Sequence, residues 1–491
     1  MAAPHPATAA LLAELGEGQV FTSKAERYAA SMDNLRYSRL PAARIRPADE
    51  EAVAAVLRLA NQHGVPVTVR GAGSATTGAA TPSTDGWVLD FSEWTRLQVD
   101  PVARMAFAQP GVTLAALDAA AAASSLAYPP DPGSKGYATV GGSIATNAGG
   151  MRGAKYGVTR DYVLALEGFL PTGEFVRWGG AVRKFAAGYN MRDLWIGSEG
   201  SLGVITGAVL RLVPRPQAQA TCLAVFSSAG AAIAAVQAML RAGLTPSALE
   251  FLDEQTVGCT LAFWSRKDPA ALAALPDCLR QWAGRPTPPA VLLIETDGDP
   301  GSAARQLDEV RKIAAAGGAG LEAASDPATV ELLWKIRRSC SQAMFELGPR
   351  KLNEDVVVPL EQQVALLDTV RQLHAETGLP TPTFGHAADG NFHVHIMYDD
   401  RDADATARAA AAVGRLMERV VALGGAISGE HGIGLAKSPF FHLQHGPAEA
   451  AAMQAVKRAL DPRNILNPGK LWERCDPWTF PREQVRLPWD H

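Results

Sequence analysis

Between Pro129 and Gly157 the chain reads PPDPGSKGYATVGGSIATNAGGMRGAKYG, with eight glycines from Gly133 to Gly157. No other stretch constrains the fold as much. Glycine costs a helix about 1 kcal/mol per residue against alanine and weakens a strand interior. No hairpin needs so much bare backbone, and an ordered loop of this length is usually functional. Its amide N–H groups, with Thr139, Ser143, Thr146 and Asn147 among them, suit a large anionic ligand that the backbone approaches closely. A shorter glycine loop, GAGSATTGAA from Gly71, comes directly after VPVTVR (65–70), an apolar run that reads as a buried strand. Gly71, Gly73 and Gly78 give GxGxxxxG, and TPSTDGWVLDFS behind them cannot supply the helix that a dinucleotide fingerprint needs. No Walker A sequence occurs either, so neither loop reads as a nicotinamide Rossmann site or a P-loop.

At 491 residues the chain is long enough for two or three domains. A net charge of −4 without a sustained basic run argues against nucleic acid or an anionic membrane as the main partner. No apolar stretch approaches the ~20 residues of a membrane helix. The start has no Lys or Arg before Lys24 and carries Glu14 and Glu17, which fits neither a signal nor a transit peptide. The cytoplasm is the expected compartment, with peripheral attachment to the inner face of the membrane left open. Five scattered cysteines, with no CxxC, exclude a Cys-ligated iron–sulfur cluster in this chain and point to no disulfide framework.

Helical spacing predicts helices over 51–64, 114–127, 228–243, 301–316, 327–347 and 403–423. Strands are expected in GWVLDFS, in the pair VLALEGFL and EFVRWG, and in TCLAVFS, AVLLIET and NEDVVVP (353–359). RPQAQA (215–220) reads as a linker, and the chain beyond it as an α+β second domain.

FGHAADGNFHVHIMY (384–398) holds three of the ten histidines. Asp389-Gly390 is a turn signal, so the chain folds back there. His393 and His395 share one strand face, and folding brings His386 towards it. ISGEHGIG adds Glu430 beside His431. Two histidines and a carboxylate leave open positions on a catalytic zinc or manganese ion.

RGAGSATTG, the long glycine stretch and LWIGSEGSLGVIT resemble the FAD-binding domain of the vanillyl-alcohol oxidase/p-cresol methylhydroxylase superfamily. FGHAADGNFHVHI, SGEHGIG and LDPRNILNPGK resemble its FAD-linked 2-hydroxyacid dehydrogenase branch, over roughly residues 35–473. That branch includes D-lactate dehydrogenases, the glycolate oxidase flavin subunit and D-2-hydroxyglutarate dehydrogenase. The resemblance implies an α+β chain: an N-terminal segment (1–34), a two-part FAD-binding domain of the p-cresol methylhydroxylase type (35–215), an α+β cap with an antiparallel sheet carrying substrate and metal residues (216–455), and a C-terminal return to the FAD domain (456–491).

On the matching positions, Arg70, Gly71, Ala72, Gly73, Ser74, Thr76, Thr77 and Gly78 are expected to hold the FAD pyrophosphate. Pro132, Gly133, Thr139, Gly141, Gly142, Ala145, Thr146, Asn147 and Gly149 are expected to line the pyrophosphate and the flavin. Glu199, Gly203 and Ile205 fall to the adenosine half, and Asn467 and Lys470 return to the flavin. Gly71 to Ala80 holds no His or Cys, so FAD is expected to be non-covalent. The family's divalent metal, Zn or Mn, falls on His386, His393 and Glu430, and its catalytic base on or next to His431. An Arg of a W-x-x-R motif binds substrate in relatives, which points to Arg337, with Arg338 beside it. Ala388 stands where relatives commonly have Gly, and His395 where some have Asn.

The implied reaction is oxidation of a D-2-hydroxyacid, D-lactate or glycolate first. Electrons leave to a cytochrome, a quinone, an electron-transfer flavoprotein or an iron–sulfur subunit. D-2-hydroxyglutarate remains as an alternative substrate, although Lys351 is displaced by two from the place of a Lys in enzymes for that dicarboxylate. A non-redox transferase like alkyl-dihydroxyacetone-phosphate synthase is the alternative of another class. A homodimer is left open.

Overall fold

Asp49 accepts from the amide of Ala52 and opens the helix Glu50–His63, and Gly64, at φ 68°, closes it in the left-handed conformation. Val53, Val56, Leu57 and Ala60 recur at helical spacing and are buried with Val67, Trp87 and Leu89. Burying each of the larger three contributes about 1.5–3 kcal/mol. The computed structural model describes residues 6–83, 85–324 and 326–475. The chain divides into two units: residues 1–149, 158–215 and 430–491 form unit 1, and 150–157 with 216–429 form unit 2.

Unit 1 holds two main sheets. The first contains β1 (Val20–Phe21), β2 (Ala43–Ile45), β3 (Val67–Arg70) and β4 (Trp87–Asp90) in the order β1-β2-β4-β3. β4 runs parallel to both β2 and β3, although no helix lies between β3 and β4 among the described residues. Leu466 bridges to Val67 on the outer side of β3. The second is antiparallel, with β5 (Leu97–Asp100), β6 (Met105–Ala108), β8 (Val163–Phe169), β9 (Phe175–Gly179) and β10 (Val204–Arg211) in the order β5-β6-β10-β8-β9. β7 (Leu126–Ala127) pairs with β11 (Val213–Pro214). Leu114, Leu117, Ile144, Tyr162 and Trp195 fill the core of this second half.

Unit 2 is one antiparallel sheet of seven strands: β12 (Ala218–Phe226), β13 (Ala248–Leu252), β14 (Ala290–Gly298), β15 (Gly320–Ala324), β16 (Arg350–Val357), β17 (Thr383–His386) and β18 (Asn391–Tyr398). Their order is β15-β12-β14-β13-β17-β18-β16. Helices Glu254–Lys267 and Pro327–Ala343 share a core with Leu223, Leu252, Val291, Leu293, Phe384 and Met397. Helices Ala229–Arg241, Pro300–Ala316 and Ala403–Ala422 also pack on the sheet.

Three expectations change. The long glycine stretch contains a helix, Val140–Thr146, because the Thr139 hydroxyl accepts from Gly142 N and Asn147 caps the end at φ 51°. Helices Glu254–Lys267 and Pro447–Leu460 are present in addition to those expected. The return to unit 1 comes at Glu430 rather than at 456. The reason is local: Ile433 and Gly434 donate their amides to Glu199, and Leu435 and Ala436 donate theirs to Thr77 O. No helix among the described residues is long and apolar enough to cross a membrane.

Candidate active site

In unit 1 the two glycine loops meet backbone to side chain. A Cβ at Gly71 would stand 2.2 Å from Thr139 Oγ1, so only glycine allows the first loop to lie on the second. Thr76 Oγ1 and Ser143 Oγ, one from each loop, are buried without a hydrogen-bond partner among the described residues. An unmet buried hydroxyl costs about 1–3 kcal/mol. Two of them beside bare backbone fit a polyanionic cofactor such as the FAD pyrophosphate. Of the other predicted positions, Thr146 donates its hydroxyl to Gly142 O, and Asn147 accepts from Arg160 N.

Several predicted cofactor residues also make hydrogen bonds to the protein. Arg70 donates Nη1 to Met32 O at 2.7 Å. Asn467 accepts from Thr68 and Lys470 and donates to Ala79 O and Glu199 O. Lys470 also reaches Thr81 O at 2.8 Å. These groups pin the first loop from behind. Burial holds Lys470 down to about 8 and carries Asp33, which accepts from Leu35 N and Ala80 N, up to about 6. Gly203 is small because a Cβ there would enter the Trp195 ring, and Ile205 lies in the core.

Glu199, at φ 53°, accepts from Ile433 N (2.6 Å) and Gly434 N (2.8 Å). Burial raises its carboxyl from 4.5 to about 7, against the lowering by those two amides and Lys470. A raised acid contributes its stability fully below pH 4.5 and loses it as pH climbs towards 7, because the unfolded chain ionises first. Glu199→Gln removes that dependence. Its melting temperature relative to wild type is expected to rise between pH 5 and pH 8, on the order of 5 °C. Thermal unfolding of both proteins at the two pH values checks this, and a constant difference would contradict it.

The segment Glu199 holds begins with Glu430 and His431. His431 Nε2 lies 3.7 Å from Glu430 Oε1, and His431 O accepts from Thr77 Oγ1 at 3.2 Å. A Cβ at Gly149 would stand 2.9 Å from Glu430 Oε2, so the second loop yields room to this carboxylate.

In unit 2 the Asp389-Gly390 turn closes β17 onto β18 as expected, with Gly390 at φ 80°. His386 and His393 come together on one sheet face, their rings 5.3 Å apart and nearly perpendicular, both buried. His386 Nδ1 faces Glu250 Oε1 at 2.6 Å, and Arg337 Nε donates to Glu250 Oε2 at 2.6 Å. A carboxylate only accepts, so His386 carries a proton on Nδ1 and its ring is held in place from that side. That donor set fits a divalent metal. The Arg337 guanidinium lies over Phe384, 4.3 Å from the ring centroid, and donates to no other described residue. Arg338 is turned away: it is exposed and paired with Glu331, and it leaves the site. His395 is fully buried, stacks on Phe384, and is held well below 6.5 by burial and by Lys351 and His393.

Sequence reasoning missed two carboxylates. Glu250, in SALEFLD, is one; a lone acid in an apolar strand was the available signal. Asp355 is the other. It is fully buried and accepts from Asn391 Nδ2, Ser428 Oγ and Gly429 N, so it fixes the residues just before Glu430. A third cluster ties 150–157 into unit 2: Arg152 to Glu295, and Lys155 and Tyr156 to Asp297.

Residues 215–471 match the family model for the C-terminal domain of FAD-linked oxidases, and 41–179 match a FAD-binding domain. The chain is 36% identical to the glycolate oxidase subunit GlcD of Bacillus subtilis, over 89% of this chain and 90% of that one. It is 36% identical to a D-lactate dehydrogenase of Anaerostipes hadrus, over 86% and 87%. Among solved structures, p-cresol methylhydroxylase superposes with a TM-score of 0.77 at 18% identity, covering 95% of this chain and 96% of that one. Alkyldihydroxyacetonephosphate synthase gives 0.76 at 19%, covering 95% and 86%. At such identities these two show the shared fold alone. With the family model spanning more than half of the chain and relatives at this identity, the chain belongs to the FAD-linked oxidases and is a FAD-dependent oxidoreductase.

Proposed function

We propose that the chain oxidises a D-2-hydroxyacid, D-lactate or glycolate, to the 2-oxoacid, and that its electrons leave to an acceptor other than oxygen. The observation that carries this reading is the buried sheet face of unit 2. It sets a guanidinium whose one described acceptor is Glu250 beside two imidazoles, one of them held through Nδ1 by the same carboxylate. The two glycine loops would hold FAD, which would supply the hydride acceptor, and His386, His393 and Glu430 would hold a divalent metal, Zn or Mn, which would supply a Lewis acid for the hydroxyl.

The chain's own residues do the rest. Arg337 grips the substrate carboxylate through its fork, and Phe384 keeps the guanidinium plane in place. His431 takes the hydroxyl proton on its imidazole, and the Glu430 carboxylate, 3.7 Å from Nε2, steadies the charge that forms. Lys351 favours a monocarboxylate over a dicarboxylate, because its ammonium donates to Ser341 O and Oγ.

The test is anaerobic mixing of the FAD-loaded protein with D-lactate or glycolate, with and without a chelator, while the flavin's visible absorbance is monitored. Rapid bleaching that the chelator abolishes is expected. Bleaching indifferent to chelator would remove the metal and keep the dehydrogenase. A flavin left oxidised by both acids but bleached by D-2-hydroxyglutarate would move the substrate to the dicarboxylate. A flavin untouched by any of the three would turn the assignment to non-redox chemistry.

A further inference from the structure

Glu250 sits inside β13, hydrogen-bonded as a strand to β14 on one side and β17 on the other, with no exposed surface. Its backbone is held from both edges, so its carboxylate has little freedom to move. Each oxygen has its own donor: His386 Nδ1 on Oε1 and Arg337 Nε on Oε2, both at 2.6 Å. One group therefore sets two directions. Its bond to Nδ1 fixes the ring of His386 and places a proton on that nitrogen. Its bond to Nε holds the guanidinium of Arg337 by one edge, and Glu250 is the one acceptor it has among the described residues.

We propose that Glu250 is a positioning residue. Through its two oxygens it fixes, from one point in the sheet, both a metal-ligating nitrogen and the fork that grips the substrate carboxylate. This inference rests on the metal and Arg337 roles proposed above. A purely stabilising ion pair is the competing account, but a buried pair is weak evidence for stability. It also would not require the two donors to be the two site residues.

Glu250→Gln separates the accounts. The amide keeps the shape but has one acceptor, so its NH2 must confront either His386 Nδ1–H or Arg337 Nε–H. His386 then turns or changes tautomer, or Arg337 shifts. The measurement is a titration of Zn2+ alone into FAD-loaded full-length protein against a chromogenic chelator. Wild type is expected to bind, and Glu250→Gln to bind about 10- to 100-fold more weakly while keeping its flavin. The KM for the 2-hydroxyacid is expected to rise in the same variant. A Glu250→Gln protein that binds Zn2+ as tightly as wild type overturns the inference.

Should the variant fail to fold, wild type decides. In zinc-free protein labelled with 15N-histidine, the His386 signals are identified by their loss in His386→Gln. Protonation on Nδ1 supports the proposal, and protonation on Nε2 overturns it. A wild type that holds neither Zn2+ nor Mn2+ is a different failure: it removes the metal reading itself, and this inference with it.

Discussion

Replacing His431 by Gln is expected to lower the rate of anaerobic flavin bleaching by D-lactate about 10²- to 10⁴-fold, the span typical of losing a positioned general base. The structure makes this a clean test. The His431 peptide is anchored by its carbonyl to Thr77 Oγ1, and the following amides by Glu199, so the segment keeps its course when the imidazole is gone. Flavin content and the Zn2+ titration should stay near wild type. If His431→Ala is also slow and added imidazole restores part of the rate, the missing piece is the base. A variant that bleaches at nearly the wild-type rate would falsify the role of His431.

Arg337 carries the second large effect, in two forms. Arg337→Leu leaves the buried Glu250 carboxylate with His386 as its remaining donor of the pair. Removing one partner of a buried ion pair costs about 3–5 kcal/mol, to be read as a shift in urea unfolding. Arg337→Lys keeps the positive charge but cannot serve Glu250 side-on and a carboxylate end-on at once. Its KM for the 2-hydroxyacid is expected to rise about 10- to 100-fold, the loss of one charge-assisted hydrogen bond of about 1.5–3 kcal/mol. A lysine variant with an unchanged KM would take Arg337 out of substrate binding and leave it a structural cation.

Much of this architecture was legible from residue patterns. Helix Glu50–His63 announces itself through its Asp cap, its apolar spacing and Gly64. The β17–β18 hairpin is dictated by Asp389-Gly390, and the strand period then places His386 and His393 together. The features that were not legible depend on contacts far apart in the chain. Asn467 and Lys470 hydrogen-bond to residues 68, 79, 81 and 199, partners that nothing in their own stretch of sequence announces. Arg337 and Arg338 are neighbours in sequence, yet a helix turns them about 100° apart. One meets Glu250 and the other solvent. Glu250 itself carries no motif; only the pairing of β13 with β17 shows what it faces.

The bridge from Val67 to Leu466 has a consequence for how the molecule is made. Val67 N donates to Ile465 O, and Asn467 N donates to Val67 O, so the outer edge of β3 is satisfied by residues near the end of the chain. Thr68 and its partner Asn467 are 399 positions apart. At about 5–20 residues per second, a ribosome needs on the order of 20–80 s to deliver the second after the first. For that interval β3 is an open edge in a growing chain, while residues 216–429, synthesised in between, complete their own seven-stranded sheet. The unit that begins first is thus the one that finishes last. A chain released before Ile465 exposes a bare strand of the kind that recruits other chains.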